Sequence, residues 1–183
     1  PEEAPRRPRP APELQGDPGG RRLGAAQPRL HVPVGRGLLP ADLPRLTPAA
    51  NALFFGGISL VNDPAANTYE ALQKEAAATR VTMIDPNFRA AFVDAQDALS
   101  PGTRERYMAR VNRMMAMADI VKLADEEITK IFGTTDHAAF ARGLLAKGPK
   151  IVLITEGSKA ARAITAQHDR FVAATPVTVA ETV

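Results

Sequence analysis

From about Ala49 onward, short apolar runs alternate with longer stretches of helical spacing. Ala52 to Val61 is an apolar run interrupted by Gly56 and Gly57, which predicts a buried strand ending in a tight loop. Asp63 followed by Pro64 predicts an N-cap with proline in the first helical position. Ala65, Tyr69, Leu72 and Ala76 then recur at helical spacing and define one apolar face. Arg80 to Asp85 predicts a second buried strand. Ser100-Pro101 opens a further helix, with Tyr107, Val111, Met114 and Ala118 as its buried stripe and Arg106, Arg110 and Arg113 on its solvated side.

Asp119 to Leu123 predicts a third strand, and Ala124 or Asp125 starts a helix that contains Ile128 and Ile131. Asp136 caps another helix, stopped at Lys147-Gly148-Pro149. Lys150 to Thr155 predicts a fourth strand, and the two runs flanking His168-Asp169 predict an antiparallel pair. Strands near residues 54, 82, 121 and 152 therefore alternate with helices about every thirty residues, the beat of right-handed βαβ units. The expected fold class is α/β, a doubly wound and mostly parallel sheet with flanking helices. Ligands of such sheets collect at the carboxyl ends of the strands.

Composition divides the chain unevenly. Residues 1–48 hold eleven of the sixteen prolines and six of the thirteen glycines, without helical or strand periodicity. Proline fixes φ and removes a backbone donor, so these residues are expected to be irregular or disordered, with the α/β domain over residues 49–183. They also hold eight arginines against five acids, whereas the remainder balances fifteen basic against fifteen acidic residues. The whole net charge of +3 thus comes from the first quarter. An arginine arm of this kind could bind a phosphate backbone, but no lysine or aromatic residue accompanies it, which argues against a nucleic-acid partner. The absence of cysteine excludes disulfides and thiolate metal sites. No apolar run approaches the ~18 residues of a membrane span, so a cytoplasmic protein without a membrane partner is expected.

Three polar clusters fall at or just beyond predicted strand ends. Asp85, Asn87 and Arg89 follow the second strand as D-P-N-F-R, where Pro86 keeps the preceding residue extended. Arginine suits bidentate recognition of phosphate or carboxylate, although a loop stabilised by its own hydrogen bonds would use the same residues. Glu127 sits in the first turn after the third strand, beside Asp125 and Glu126. Acids there complement the positive helix end, or Glu127 could be an outer-shell ligand of magnesium, which is held through few carboxylates plus substrate phosphates. Thr155 and Gly157 follow the fourth strand in T-E-G-S-K-A and could approach a nucleotide phosphate, or simply form a β-turn. His31, His137 and His168 have no partner at ligand spacing, and Met114, Met115 and Met117 read as core.

The order of these segments resembles the carboxyl-side part of the PfkB family of carbohydrate kinases, which have the ribokinase-like fold, and is most similar to bacterial fructokinases. DPNFR matches the family's D-x-N-x-R segment, ADEE the position of N-x-x-E, TEGSKA the T-x-G-x-x-G segment, and VAETV the strand preceding G-A-G-D. The resemblance implies substrate or phosphate contacts for Asn87 and Arg89, a magnesium-orienting Glu127, and a nucleotide site at Thr155 and Gly157. It implies ATP and Mg2+ as cofactors, a sugar and a nucleotide as small-molecule partners, and leaves a homodimer open. Ala124 replaces the asparagine of N-x-x-E, Ala160 the last glycine of T-x-G-x-x-G, and Glu181 a usual aspartate.

A complete relative is implied to transfer the γ-phosphoryl of ATP to a sugar hydroxyl. Its sugar-binding region and lid have no counterpart in residues 1–48, and its catalytic aspartate would follow Val183. The chain is therefore expected to be a fragment with no catalytic residue of its own. ADP release with fructose above ~1 per second would overturn that expectation. A 2-keto-3-deoxygluconate kinase, another family member, or a non-catalytic remnant that binds nucleotide or oligomerises are the alternatives. On any kinase reading, Arg89, Glu127 and Thr155 should gather around one pocket.

Overall fold

The computed structural model describes residues 37–43, 46 and 49–176. Nearly all of the arginine-rich segment, His31, and the VAETV segment read as a strand lie outside the described residues. The elements are β1 (Ala52–Gly56), α1 (Ala65–Ala76), β2 (Val81–Asp85), α2 (Ala90–Leu99), α3 (Thr103–Met117), β3 (Ile120–Ala124), α4 (Asp125–Phe132), α5 (His137–Leu145), β4 (Ile151–Thr155), β5 (Ala160–Ile164) and β6 (Asp169–Ala173). Short 3-10 turns occupy Pro40–Asp42 and Gly57–Leu60.

The six strands form one sheet in chain order, with β1 to β4 parallel and β4, β5 and β6 antiparallel. The expected mostly parallel α/β arrangement with flanking helices is thus what the chain adopts. Among the described residues the strand order never reverses. Strand side chains alternate between faces, and the fully buried set, Phe55, Ile84, Val121, Leu123, Val152 and Ile154, points to one face. There it meets Leu60, Tyr107, Val111, Met114, Ile128 and Leu144 in a single core. The opposite face carries Met83, Asp85, Lys122, Leu153 and Thr155, all partly buried, and Phe54, which is 62% exposed. Among the described residues the first strand is therefore an edge with one open face, not the buried strand its composition predicts.

The predicted stripe of α3 is buried as expected, Tyr107 at 1% exposure and Met114 at 0%. Arg110 is a correction. Helical spacing places it on the solvated side, but it is 5% exposed, because α3 lies against α1 and the Gly57–Leu60 turn. Its guanidinium donates to the Leu60 carbonyl at 2.9 Å, Asp63 Oδ1 at 2.9 Å, Asn67 Oδ1 at 2.7 Å and Glu70 Oε2 at 3.2 Å. Asp63 consequently does not cap α1; Pro64 occupies that position and no side chain caps it. Asp136 caps α5 as expected, accepting from the Ala139 N–H at 2.9 Å.

Helix α2 is an addition to the predicted elements. Its only buried residue is Val93, so it carries almost no apolar stripe to read. Two polar residues inside the α1 face also escape pattern reading. Thr68 Oγ1 donates to the Leu38 carbonyl and Gln73 Nε2 to the Met114 carbonyl. Leu38 is 6% exposed, so the packed body takes in residues ahead of Ala49. Among the described residues, no helix is long and apolar enough to cross a membrane.

Candidate active site

The four parallel strands end side by side, and the polar clusters lie at those ends. Gly56 pairs in register with Asp85, and Ala124 with Thr155. Neighbouring strands lie about 4.8 Å apart, so the tips of β2 and β4 are separated by about 10 Å. Asn87 and Arg89 in the β2–α2 loop, Glu127 in the first turn of α4, and Thr155 at the end of β4 thus share one end of the sheet.

The β2–α2 loop has a defined shape. Pro86 is buried, and Asn87 takes φ +39°, a left-handed conformation uncommon for residues other than glycine. Asp85 Oδ1 accepts the Asn87 N–H at 3.1 Å, an Asx turn that holds this conformation. Phe88 packs against the core with its ring centroid 5.6 Å from that of Tyr107, while Asn87 and Arg89 on either side are exposed. Arg89 occupies the N-cap position of α2 without a side-chain cap bond. Among the described residues it has no carboxylate partner, whereas Arg104, Arg110 and Arg113 on α3 are paired.

A hollow of about 210 Å³ lies beside the loop, lined by Phe54, Gly56, Gly57, Ile58, Asp85, Asn87 and Arg89. Gly57 is required by close approach: a Cβ there would sit 1.8 Å from the Pro86 carbonyl oxygen. Gly57 thus lets the chain leaving the first strand pass directly against the loop. The approach occurs at the tight loop expected after the apolar run, where a glycine is its signal in the sequence.

Glu127 is held elsewhere. Its Oε2 accepts the Ala124 N–H at 2.7 Å and its Oε1 accepts the Phe88 N–H at 2.5 Å, so it both closes the first turn of α4 and ties α4 to the β2–α2 loop. It lines a second hollow of about 250 Å³ with Phe88, Arg104, Glu126, Lys130 and Ile131. Among the described residues Arg89 and Glu127 thus line separate hollows, and Phe88, packed against the core, belongs to the second. Thr155 and Gly157 line neither. Gly157, at φ +55°, turns the hairpin from β4 into β5, so the plain turn proposed for this segment is present.

Each Glu127 oxygen keeps one lone pair beyond its backbone bond. Among the described residues no group of three or more His, Cys, Asp or Glu side chains is arranged to hold a metal ion. The described residues thus fit a cation held through water and a ligand's phosphates, but not one caged by side chains. Burial and the neighbouring Glu127 carboxylate push the Tyr107 hydroxyl above its ordinary range, so it stays protonated beside this site. Glu127→Ala removes both acceptors from partly buried backbone donors, and urea unfolding should show a loss of about 2 kcal/mol. A loss below about 0.5 kcal/mol would show that water replaces the carboxylate.

The pfkB family carbohydrate kinase description matches residues 40–183. A fructokinase of Rhizobium leguminosarum bv. trifolii is 40% identical over 149 residues, which are 81% of this chain and 43% of that protein. A fructokinase of Vibrio alginolyticus is 32% identical over 103 residues, 56% of this chain and 31% of that protein. The chain thus spans less than half the length of the curated relatives it matches. Among solved structures, the Vibrio cholerae O395 fructokinase in fructose-, ADP- and calcium-bound form superposes with a TM-score of 0.65 at 23% identity, covering 77% of this chain and 43% of that one. The Salmonella enterica aminoimidazole riboside kinase, complexed with aminoimidazole riboside and an ATP analog, gives 0.61 at 21% identity, covering 78% and 46%. These superpositions show the shared fold, and the match over residues 40–183 establishes that the chain belongs to the pfkB family of carbohydrate kinases.

Proposed function

We propose that this chain supplies the anion-handling strand tips of a fructokinase-type sugar kinase, which transfers a phosphoryl group from ATP to a sugar hydroxyl. The observation that carries the reading is the hollow beside Asn87 and Arg89, with a guanidinium free of carboxylate partners among the described residues. A planar guanidinium left unpaired at the mouth of a crevice is suited to a phosphate or a sugar oxygen. Arg89 and Asn87 would hold the substrate or the transferring group. Thr155 and Gly157, two strands away, would approach the nucleotide.

Glu127 would orient magnesium through its water, and the ion would supply charge neutralisation to the nucleotide phosphates when bound. In phosphoryl transfer the protein contributes mainly positioning and electrostatics, which is what this arrangement offers. Both curated relatives are fructokinases, which makes fructose the first sugar to test.

Isothermal titration of the chain with ATP and Mg2+, with and without fructose, tests the reading. Wild type should bind the nucleotide. Arg89→Ala should weaken binding about tenfold, the loss of one charge-assisted contact. Parallel titrations with 2-keto-3-deoxygluconate decide between sugars. A wild-type chain that binds neither ATP nor inorganic pyrophosphate at millimolar concentration would sink the proposal.

A further inference from the structure

We infer that Lys122 is a positioning residue for the hollow: by pairing with Asp85 it sets the turn that presents Asn87 and Arg89. The inference rests on the reading just proposed for the hollow, and adds to it a residue outside the lining. Lys122 lies on β3 between Val121 and Leu123, both fully buried, so its side chain projects from the opposite face of the sheet. Ile84 pairs in register with Val121, which brings Asp85 alongside Lys122 one residue later. Lys122 Nζ lies 2.9 Å from Asp85 Oδ2, with side chains 27% and 17% exposed.

The two oxygens of Asp85 therefore have separate duties. Oδ2 faces Lys122, and Oδ1 accepts the Asn87 N–H at 3.1 Å. The second bond holds Asn87 at φ +39°, a conformation that needs such support. Asp85, Asn87 and Arg89 then line the hollow together.

Without the lysine, two things change. The Asp85 carboxylate becomes free to rotate away from the turn, and its charge is left uncompensated on the wall of a hollow meant for an anion. Lys122 thus fixes the loop and cancels the nearest negative charge, without itself being among the residues that line the hollow.

The test compares Lys122→Met, Lys122→Arg and the double variant Lys122→Met with Asp85→Asn in the full chain. Two readouts are needed: hydrogen exchange at the Asn87 amide, and affinity for inorganic pyrophosphate. In Lys122→Met, Asn87 exchange should accelerate at least about tenfold and pyrophosphate binding should weaken about tenfold. Lys122→Arg should restore both to within about threefold. The double variant should recover binding relative to Lys122→Met, because the repelling charge is gone, while Asn87 exchange stays fast.

Unchanged Asn87 exchange in a folded Lys122→Met chain would overturn the inference. So would a Lys122→Arg chain that folds normally yet behaves like the methionine variant. The exchange measurement needs no ligand. A wild type that binds no pyrophosphate therefore counts against the proposed function, and exchange alone then decides the role of Lys122.

Discussion

Arg110→Ala is expected to lower the unfolding free energy by about 3–5 kcal/mol, a large share of a domain's stability. The arginine is 6% exposed at its side chain and serves four acceptors, drawn from the turn after β1, the start of α1 and the middle of α1. Truncation leaves the Leu60 carbonyl and the Glu70 carboxylate without that donor in a partly dry site. Arg113→Ala is the control. Arg113 donates to the same Glu70 carboxylate at 2.7 and 3.0 Å but is 55% exposed, so its loss should change stability by about 1 kcal/mol or less. Urea midpoints for the two variants check this, and near-equal losses would contradict it.

The same network fixes the sign of a pH effect. The Glu70 carboxyl is held below its ordinary value of 4.5, first by the Arg113 hydrogen bond and then by Arg110, against the opposing effect of burial. A carboxyl with a depressed folded-state pKa adds stability above its unfolded value and loses it as pH falls through the folded value. Wild type should therefore lose stability as pH drops through and below 4.5. The Arg113→Ala chain should show a shallower loss over that window.

Gly57→Ala should be nearly as severe, and it would strike the site directly. The new methyl carbon would sit 1.8 Å from the Pro86 carbonyl oxygen and 2.6 Å from its carbonyl carbon. These are backbone atoms on a buried proline, so no side-chain rotation can relieve the overlap. Overpacking of this kind costs about 3 kcal/mol or forces the β2–α2 loop outward. Either outcome reshapes the hollow beside Asn87 and Arg89. Pyrophosphate affinity and the urea midpoint should both fall. Gly56→Ala, whose added carbon would meet nothing within 4 Å, should leave stability within about 1 kcal/mol. Indistinguishable behaviour of the two alanine variants would refute the close approach.

Much of the fold was legible because its cues are local. Tyr107, Val111, Met114 and Ala118 recur every three or four residues, and all four are buried on one side of α3. Asp136 three residues before a backbone donor announces its own cap. The alternation of strands and helices at the expected spacing then gives a mostly parallel sheet. Helix α2 was not legible, since a helix with one buried residue leaves almost no period to detect.

The candidate residues were legible as types and positions. Asn87, Arg89, Glu127, Thr155 and Gly157 do lie at one end of the sheet, because loops after parallel strands must emerge there. That Asn87 and Arg89 line one hollow and Glu127 another was not legible, since it depends on Phe88 packing against Tyr107, nineteen residues away.

Residue order alone was enough to specify strand tips and the apolar stripe of α3, which rest on neighbours within a few positions, and the family, which rests on the succession of short motifs. Folding in three dimensions settled which polar side chains meet: Arg110 with Asp63, Glu127 with the Phe88 amide, Lys122 with Asp85. Those partners are separated by 47, 39 and 37 positions in the chain. No local period encodes a contact of that range; packing of the helices on the sheet creates it, and with it the burial of Arg110 and the shape of the hollow.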